Sequence, residues 1–272
     1  MKKYEFTGKT KRYGDITLHR IRRIRDGLGG GWIQSEANLS HYGDCFVYDE
    51  AMVYGNAKVF GNALVYNNAK VSGEACVYDK ARVFGYTKVY ANAWVFGNAE
   101  VFGDAWVYDN AKVFGNVLVY NNAKVFGDAQ VFGDALVYDN AWVCGDAMVY
   151  DKAKVCGDAM VYDNAKVFGD VGVHGDAWVF GNVEVQGCAN VSDNARVFGD
   201  IDVTICRYIK GPHHGITATD THVSIGCEQH TWEYWGCFIE QIGKEHKYPD
   251  EKIAEVRHIL GRLYEEIHGE AQ

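Results

Sequence analysis

One apolar residue returns every six positions through the middle of the chain. Valine stands at Val47, Val53, Val59 and every sixth residue up to Val203, 27 consecutive positions without an exception. Four residues after each valine comes a small one, alanine from Ala51 onward except at Thr87, Val117, Val171, Val183 and Ile201. A period of six matches neither the 3.6-residue turn of an amphipathic helix nor the alternation of a plain hairpin. It predicts a solenoid, in which each rung buries its inner face only against neighbouring rungs.

The slots divide by physical role. Valine and alanine point inward, because a narrow stacked core admits only β-branched and small side chains. The two residues between them are almost always Gly, Asp or Asn, which tolerate positive φ at a sharp corner. Residues on either side of each valine then face outward. Three strands and three corners close one triangular coil of 18 residues, so 27 strands make about nine coils. At about 4.8 Å per coil the prism is on the order of 43 Å long. A two-sided solenoid with twelve-residue coils is the alternative, supported by the partial alternation of Y-D-N and F-G-D rungs.

The motif V-x-[GDN]-[DN]-A-x, as in VFGDAWVYDNAKVFGN from Val101 to Asn116, resembles the hexapeptide repeat of left-handed parallel β-helices. The expected fold is therefore an all-β solenoid, a left-handed parallel β-helix of about nine triangular coils over residues 45–206. Residues 1–44 form an N-terminal strand cap with a Gly-rich bend at Gly29 to Gly31, and the spacing slips by two residues between Leu39 and Val47. The repeat dissolves after Cys206, leaving a C-terminal α+β cap over 207–272. Its helix runs from about Asp250 to His268, with Ile253, Val256, Ile259, Leu260, Leu263 and Ile267 on one face and Pro249 as a start signal. Such caps cover raw sheet edges that would otherwise polymerise.

The cap segments LGGGWIQSEANLS and THVSIGCEQHTWEYW resemble those of a group of uncharacterised bacterial and phage hexapeptide-repeat proteins. Members of that group are often labelled acyltransferases on the strength of the β-helix alone. The resemblance implies a phage protein that binds a host protein or small signalling molecule. Through the label it implies, as the rival, acyl transfer from acetyl-coenzyme A to a sugar or amine.

Charge narrows the field. A net charge of −9 and a pI near 5.6 argue against gripping nucleic acid or anionic lipid. The start, MKKYEFTGKTKRYGD, lacks the apolar stretch of a secretory signal, and no run of about 18 apolar residues suggests a span. Eight cysteines contain no C-x-x-C pair, so a reduced, cytoplasmic protein is expected.

Eighteen-residue stacking sorts the outward slots into columns. Trp106, Trp142 and Trp178 fall on one face, two coils apart, beside Tyr108, Phe126, Tyr162 and Phe180. A contiguous apolar strip of this kind exceeds what a monomer usually exposes. The expectation is a non-enzymatic scaffold or binding protein that self-associates through this face, a trimer being common among hexapeptide β-helices. A tolerated aromatic ladder on a monomer, or sugar stacking on the tryptophans, are the other readings.

Candidate chemistry is sparse. Not one residue is inserted between Val47 and Val203, so no loop leaves the prism to shape an acceptor pocket. His174 is the lone histidine of the regular repeat, too few for a three-histidine zinc centre. The register stacks it on Cys156, an arrangement that could activate a thiol, with Ser192 one coil further. The C-terminal cap gathers His213, His214, His222, Cys227, His230 and Cys237, yet their spacings match no zinc signature, and no metal or cofactor is expected. Arg20, Arg22, Arg23 and Arg25 form the single basic cluster, which could hold an anionic ligand or a negative partner but is read as a solvated cap edge paired with nearby Asp.

Overall fold

The computed structural model describes residues 2–269. At its centre is a three-sided parallel β-solenoid in which strands eighteen residues apart are ladder neighbours. Lys88 pairs with Trp106, Trp94 with Lys112 and Glu100 with Leu118, one example from each of the three sheets. That step excludes the two-sided alternative, which needs twelve. Every repeat valine is at most 1% exposed, as the inward slot requires. Thr87, the one polar residue in the alanine column, is also buried and donates its hydroxyl to the Phe84 carbonyl.

The corners explain the Gly, Asp and Asn bias. The third slot of every hexad from Asp49 to Gly199 has positive φ. A Cβ added at Gly103 would lie 2.8 Å from the backbone nitrogen of Asn121, so close stacking adds to the conformational demand there. Only Ala91, at φ 57°, occupies this slot without the usual chemistry. Several aspartate corners accept the amide of the corner stacked on them, as Asp79 does from Gly97 and Asp151 from Gly169. In the fourth slot asparagines form ladders: Asn122 donates to Asn140, which donates to Asp158. Aspartate ends such a run because it only accepts.

Outside, aromatic rings stack coil on coil. Phe60, Tyr78, Phe96, Phe114, Phe132, Tyr150 and Phe168 form one column, with successive centroids 4.8–5.0 Å apart. Each such pair contributes about 0.5–1.5 kcal/mol beyond area burial.

The N-terminal cap departs from the expected bend. Strands Tyr4–Tyr13 and Ile16–Arg23 form a hairpin, and Gly29–Ile33 pairs antiparallel with the second of them. Gly29–Ile33 then lies parallel to Met52–Val53, so the supposed Gly-rich bend is a strand that joins hairpin to solenoid. The glycines are there for closeness: a Cβ at Gly30 would meet the Ile21 side chain at 2.5 Å, and one at Gly31 the Ala51 carbonyl at 2.7 Å. Stacking reaches back before Val47, since Leu39 bridges Val59 in parallel, giving about ten turns. Tyr4 plugs the open end, fully buried, with its hydroxyl donating 2.8 Å to the Leu39 carbonyl.

At the other end strands Cys206–Lys210, Gly215–Thr219, His222–Ile225 and Glu228–Thr231 form an antiparallel sheet. It satisfies the last rung's free groups: the Arg196 amide donates to Thr217 Oγ1, and the Gln229 amide donates to the Phe198 carbonyl. Two helices follow, α1 (Trp232–Glu245) and α2 (Asp250–His268). Helix α2 matches its expected limits and buries Ile253, Val256, Leu260, Leu263 and Ile267. The sequence reading placed no helix at α1. Thr231 caps it, accepting from the Tyr234 amide, while Trp235, Ile239 and Ile242 bury its inner face. No helix among the described residues is long and apolar enough to cross a membrane.

Candidate functional site

The tryptophan-bearing sheet carries a trough along its length. Three hollows of about 710, 390 and 780 Å3 join end to end, sharing Asn122 and Lys124 at one junction and Asp158 and Met160 at the next. One wall is the column just before each valine, with Lys70, Lys88, Trp106, Lys124, Trp142 and Trp178. The opposite wall is a corner column that includes Asp104, Asn122, Asn140, Asp158 and Asp176. Lys11 and Tyr13 of the hairpin close the first end, and His214 and Cys227 the other.

This geometry corrects the expected apolar strip. Lys88 places its ammonium 4.0 Å from the Trp106 ring centroid, Lys124 lies 4.5 Å from Trp142, and the Arg196 guanidinium lies 4.7 Å from Trp178. Each of these three tryptophans is thus covered by a cation of an adjacent coil, while Met160 alone separates Trp142 from Trp178. Trp106, Trp142 and Trp178 line the trough, whereas Tyr108, Phe126, Tyr162 and Phe180 stand outside its lining. Those four belong to parallel stacks, Tyr108 on Phe126 at 4.8 Å and Tyr162 on Phe180 at 4.9 Å. Burial pushes the Tyr108 phenol up to about 12, with the neighbouring Tyr90 adding to the effect. Trp94 projects from a different sheet and is 43% exposed, a residue that the single-face reading passed over.

The Cys156 and His174 column falls in the predicted register, since Val155 pairs with Val173 and Val173 with Val191. Their side chains do not form a nucleophile pair. His174 Nε2 sits 2.7 Å from Asn190 Oδ1, and the Cys156 thiol meets the Tyr138 phenol, pushing that phenol up to about 12. Among the described residues no hydrogen bond joins His174 to the Cys156 sulfur, the contact that thiol activation needs.

The basic cluster is paired, half of it with aspartate as expected and half with glutamate. Arg20 reaches Glu50 at 2.6 Å, Arg22 holds Glu5, and Arg23 and Arg25 share Asp26 at 2.7 and 3.7 Å. The Arg23 guanidinium draws the Asp26 carboxyl down to about 2. All eight cysteines are free thiols.

The C-terminal cap assembles a second group of side chains. Cys227 and Glu228 sit at the turn between the last two strands, and His246 caps the end of α1. The Cys227 sulfur, a Glu228 oxygen and a His246 nitrogen all lie within 4.8 Å of one another. Glu228 holds two imidazoles, His230 Nε2 at 2.8 Å on Oε2 and His246 Nε2 at 3.0 Å on Oε1. These contacts, His230 foremost, lower the Glu228 carboxyl from its ordinary range. Beside the group is a cavity of about 70 Å3 between sheet and helices, lined by Ile225, Trp235, Ile239 and Val256 among others.

Of the residues singled out from the sequence, Cys227 and His230 belong here, while His213 and His214 pack on Tyr248, His222 contacts Thr221, and Cys237 is exposed. Glu228 and His246 were not foreseen. His246 lies 18 residues from Glu228 behind a helix that the pattern did not announce.

A family model described as the YdcK beta solenoid repeat matches residues 129–145. The matched stretch lies wholly within the prism and is similar to that repeat in form. No curated protein matches the chain.

Proposed function

We propose that the protein is a non-enzymatic scaffold or binding protein whose trough-bearing face receives a second copy of the chain. The observation that carries this reading is the pairing of two unlike columns along one loop-free wall. Cations and tryptophans from Lys70 to Arg196 run beside acids and amides from Asn68 to Asn194. A copy turned by half a revolution about an axis along the prism sets each column against its opposite in the partner. Tryptophan supplies contact area at low entropic cost, and the flanking charges fix register.

The resemblance of the caps to phage proteins makes a host protein or small signalling molecule the next occupant to test. Mass in solution decides the first reading. The wild type is expected to be oligomeric and the Trp106→Ala, Trp142→Ala, Trp178→Ala variant monomeric, whereas a monomeric wild type would refute it. A rise in Tm on adding acetyl-coenzyme A would move the reading to acyl transfer, since a folded site alone binds it.

A further inference from the structure

We infer that the C-terminal cap holds a Zn2+ ion or a comparable divalent transition metal on Cys227, Glu228 and His246. The three ligand atoms already lie within 4.8 Å of one another. An ion bonded at about 2.0–2.3 Å to nitrogen, oxygen and sulfur sets tetrahedral ligands roughly 3.3–3.7 Å apart. Glu228 Oε1 and His246 Nε2, at 3.0 Å, are near that spacing, and the exposed Cys227 needs a small adjustment to close it.

The neighbourhood supports the assignment. His230 holds Glu228 Oε2 at 2.8 Å, which leaves Oε1 as the oxygen turned toward His246. That is the arrangement of a ligand oriented by a hydrogen bond from behind, so His230 is a positioning residue. A thiolate, an imidazole and a carboxylate together select a borderline metal over Ca2+ or Mg2+. Cys227 gives up its thiol proton to solvent as the metal–sulfur bond forms, and His246 exchanges its Nε2 hydrogen bond to Glu228 for the metal by carrying its ring proton on Nδ1. Three protein ligands leave a fourth position. Cys227 lines both the apolar cavity and the end of the trough, so that position is reachable from the surface.

The ion would also fasten two elements that are otherwise joined by hydrogen bonds. Cys227 and Glu228 belong to the last hairpin and His246 to the end of α1. Metal binding therefore raises the thermal stability of the cap, and chelation lowers it.

Titration of the reduced, metal-stripped full chain with Co2+ tests the assignment. One equivalent should produce a thiolate-to-metal charge-transfer band in the near ultraviolet together with intense visible bands of tetrahedral cobalt. Cys227→Ser should abolish the charge-transfer band, Cys237→Ser should leave it intact, and His246→Ala should weaken affinity at least tenfold. Cys227 is exposed, so its serine variant keeps the fold, and circular dichroism checks this. No band from the wild type with excess Co2+, or an undiminished band in Cys227→Ser, overturns the proposal.

Discussion

Lys88 and Trp106 are ladder partners on adjacent coils, and the lysine ammonium lies 4.0 Å from the indole centroid. A long cationic side chain and a flat ring thereby share one column without exposing a continuous apolar surface. At a partly exposed site such a pair contributes about 0.5–1 kcal/mol. A double-mutant cycle of Lys88→Ala and Trp106→Ala, read as Tm shifts, should return a coupling of that size. Additive shifts would show that the two merely sit side by side.

Ala91 bends a corner at φ 57° that glycine, Asp or Asn turn elsewhere. Left-handed backbone strains an ordinary L-residue by roughly 1–2 kcal/mol, part of which the lower chain entropy of alanine offsets. Ala91→Gly should stabilise the protein by about 1 kcal/mol, raising Tm. Gly103→Ala should do the opposite, because its Cβ meets the Asn121 backbone at 2.8 Å.

Asn140 donates to Asp158 while accepting from Asn122. Asn140→Asp removes the donor and sets two carboxylates face to face, an exchange expected to cost about 1 kcal/mol. The loss should shrink in high salt. A Tm loss indifferent to salt would point to packing instead.

The Arg23 guanidinium bonded to its carboxylate holds Asp26 down at about 2 in the folded chain, below the ordinary aspartate value of 3.8. A depressed carboxyl stabilises the fold at pH above its unfolded value, and that stability fades as pH falls through the folded one. The Tm difference between wild type and Asp26→Asn should therefore be constant above about pH 5, shrink through pH 2 and vanish near pH 1. A difference undiminished between about pH 5 and pH 1 would assign the effect to something other than the charge.

Thiol reactivity should follow burial. Cys188, Cys227 and Cys237 are exposed, whereas burial pushes the Cys144 thiol up to about 11 and the Cys206 thiol up to about 12. Under native conditions at pH 8 a disulfide reagent should modify the first three quickly, leaving Cys206 silent until unfolding. Rapid native labelling of Cys206 would mean that the last coil opens readily.

The prism was legible because its rule is local. A valine every six residues and a corner residue of fixed type decide fold class, coil count and facing columns together. The caps were less so. Gly29 to Gly31 suggested a bend, since composition does not say whether glycine serves a turn or a close approach to Ile21 and Ala51. Helix α1 was hidden by W-E-Y-W, whose aromatic density reads as strand. The three tryptophans were placed in the right column, but the pattern alone did not show that Lys88, Lys124 and Arg196 lie over their rings. Cys227, Glu228 and His246 meet through the path of an unforeseen helix, and no spacing rule anticipates that.

The eighteen-residue step also governs how the molecule can change length. Adding or deleting one full coil returns every valine, corner and wall to its own column, with both caps still oriented alike. Six residues instead turn the remainder by a third of a revolution, moving Trp142 and Trp178 away from Trp106 and splitting the trough. Growth by whole coils is thus the natural mode of divergence for this architecture, and partial-coil insertions belong at its two ends.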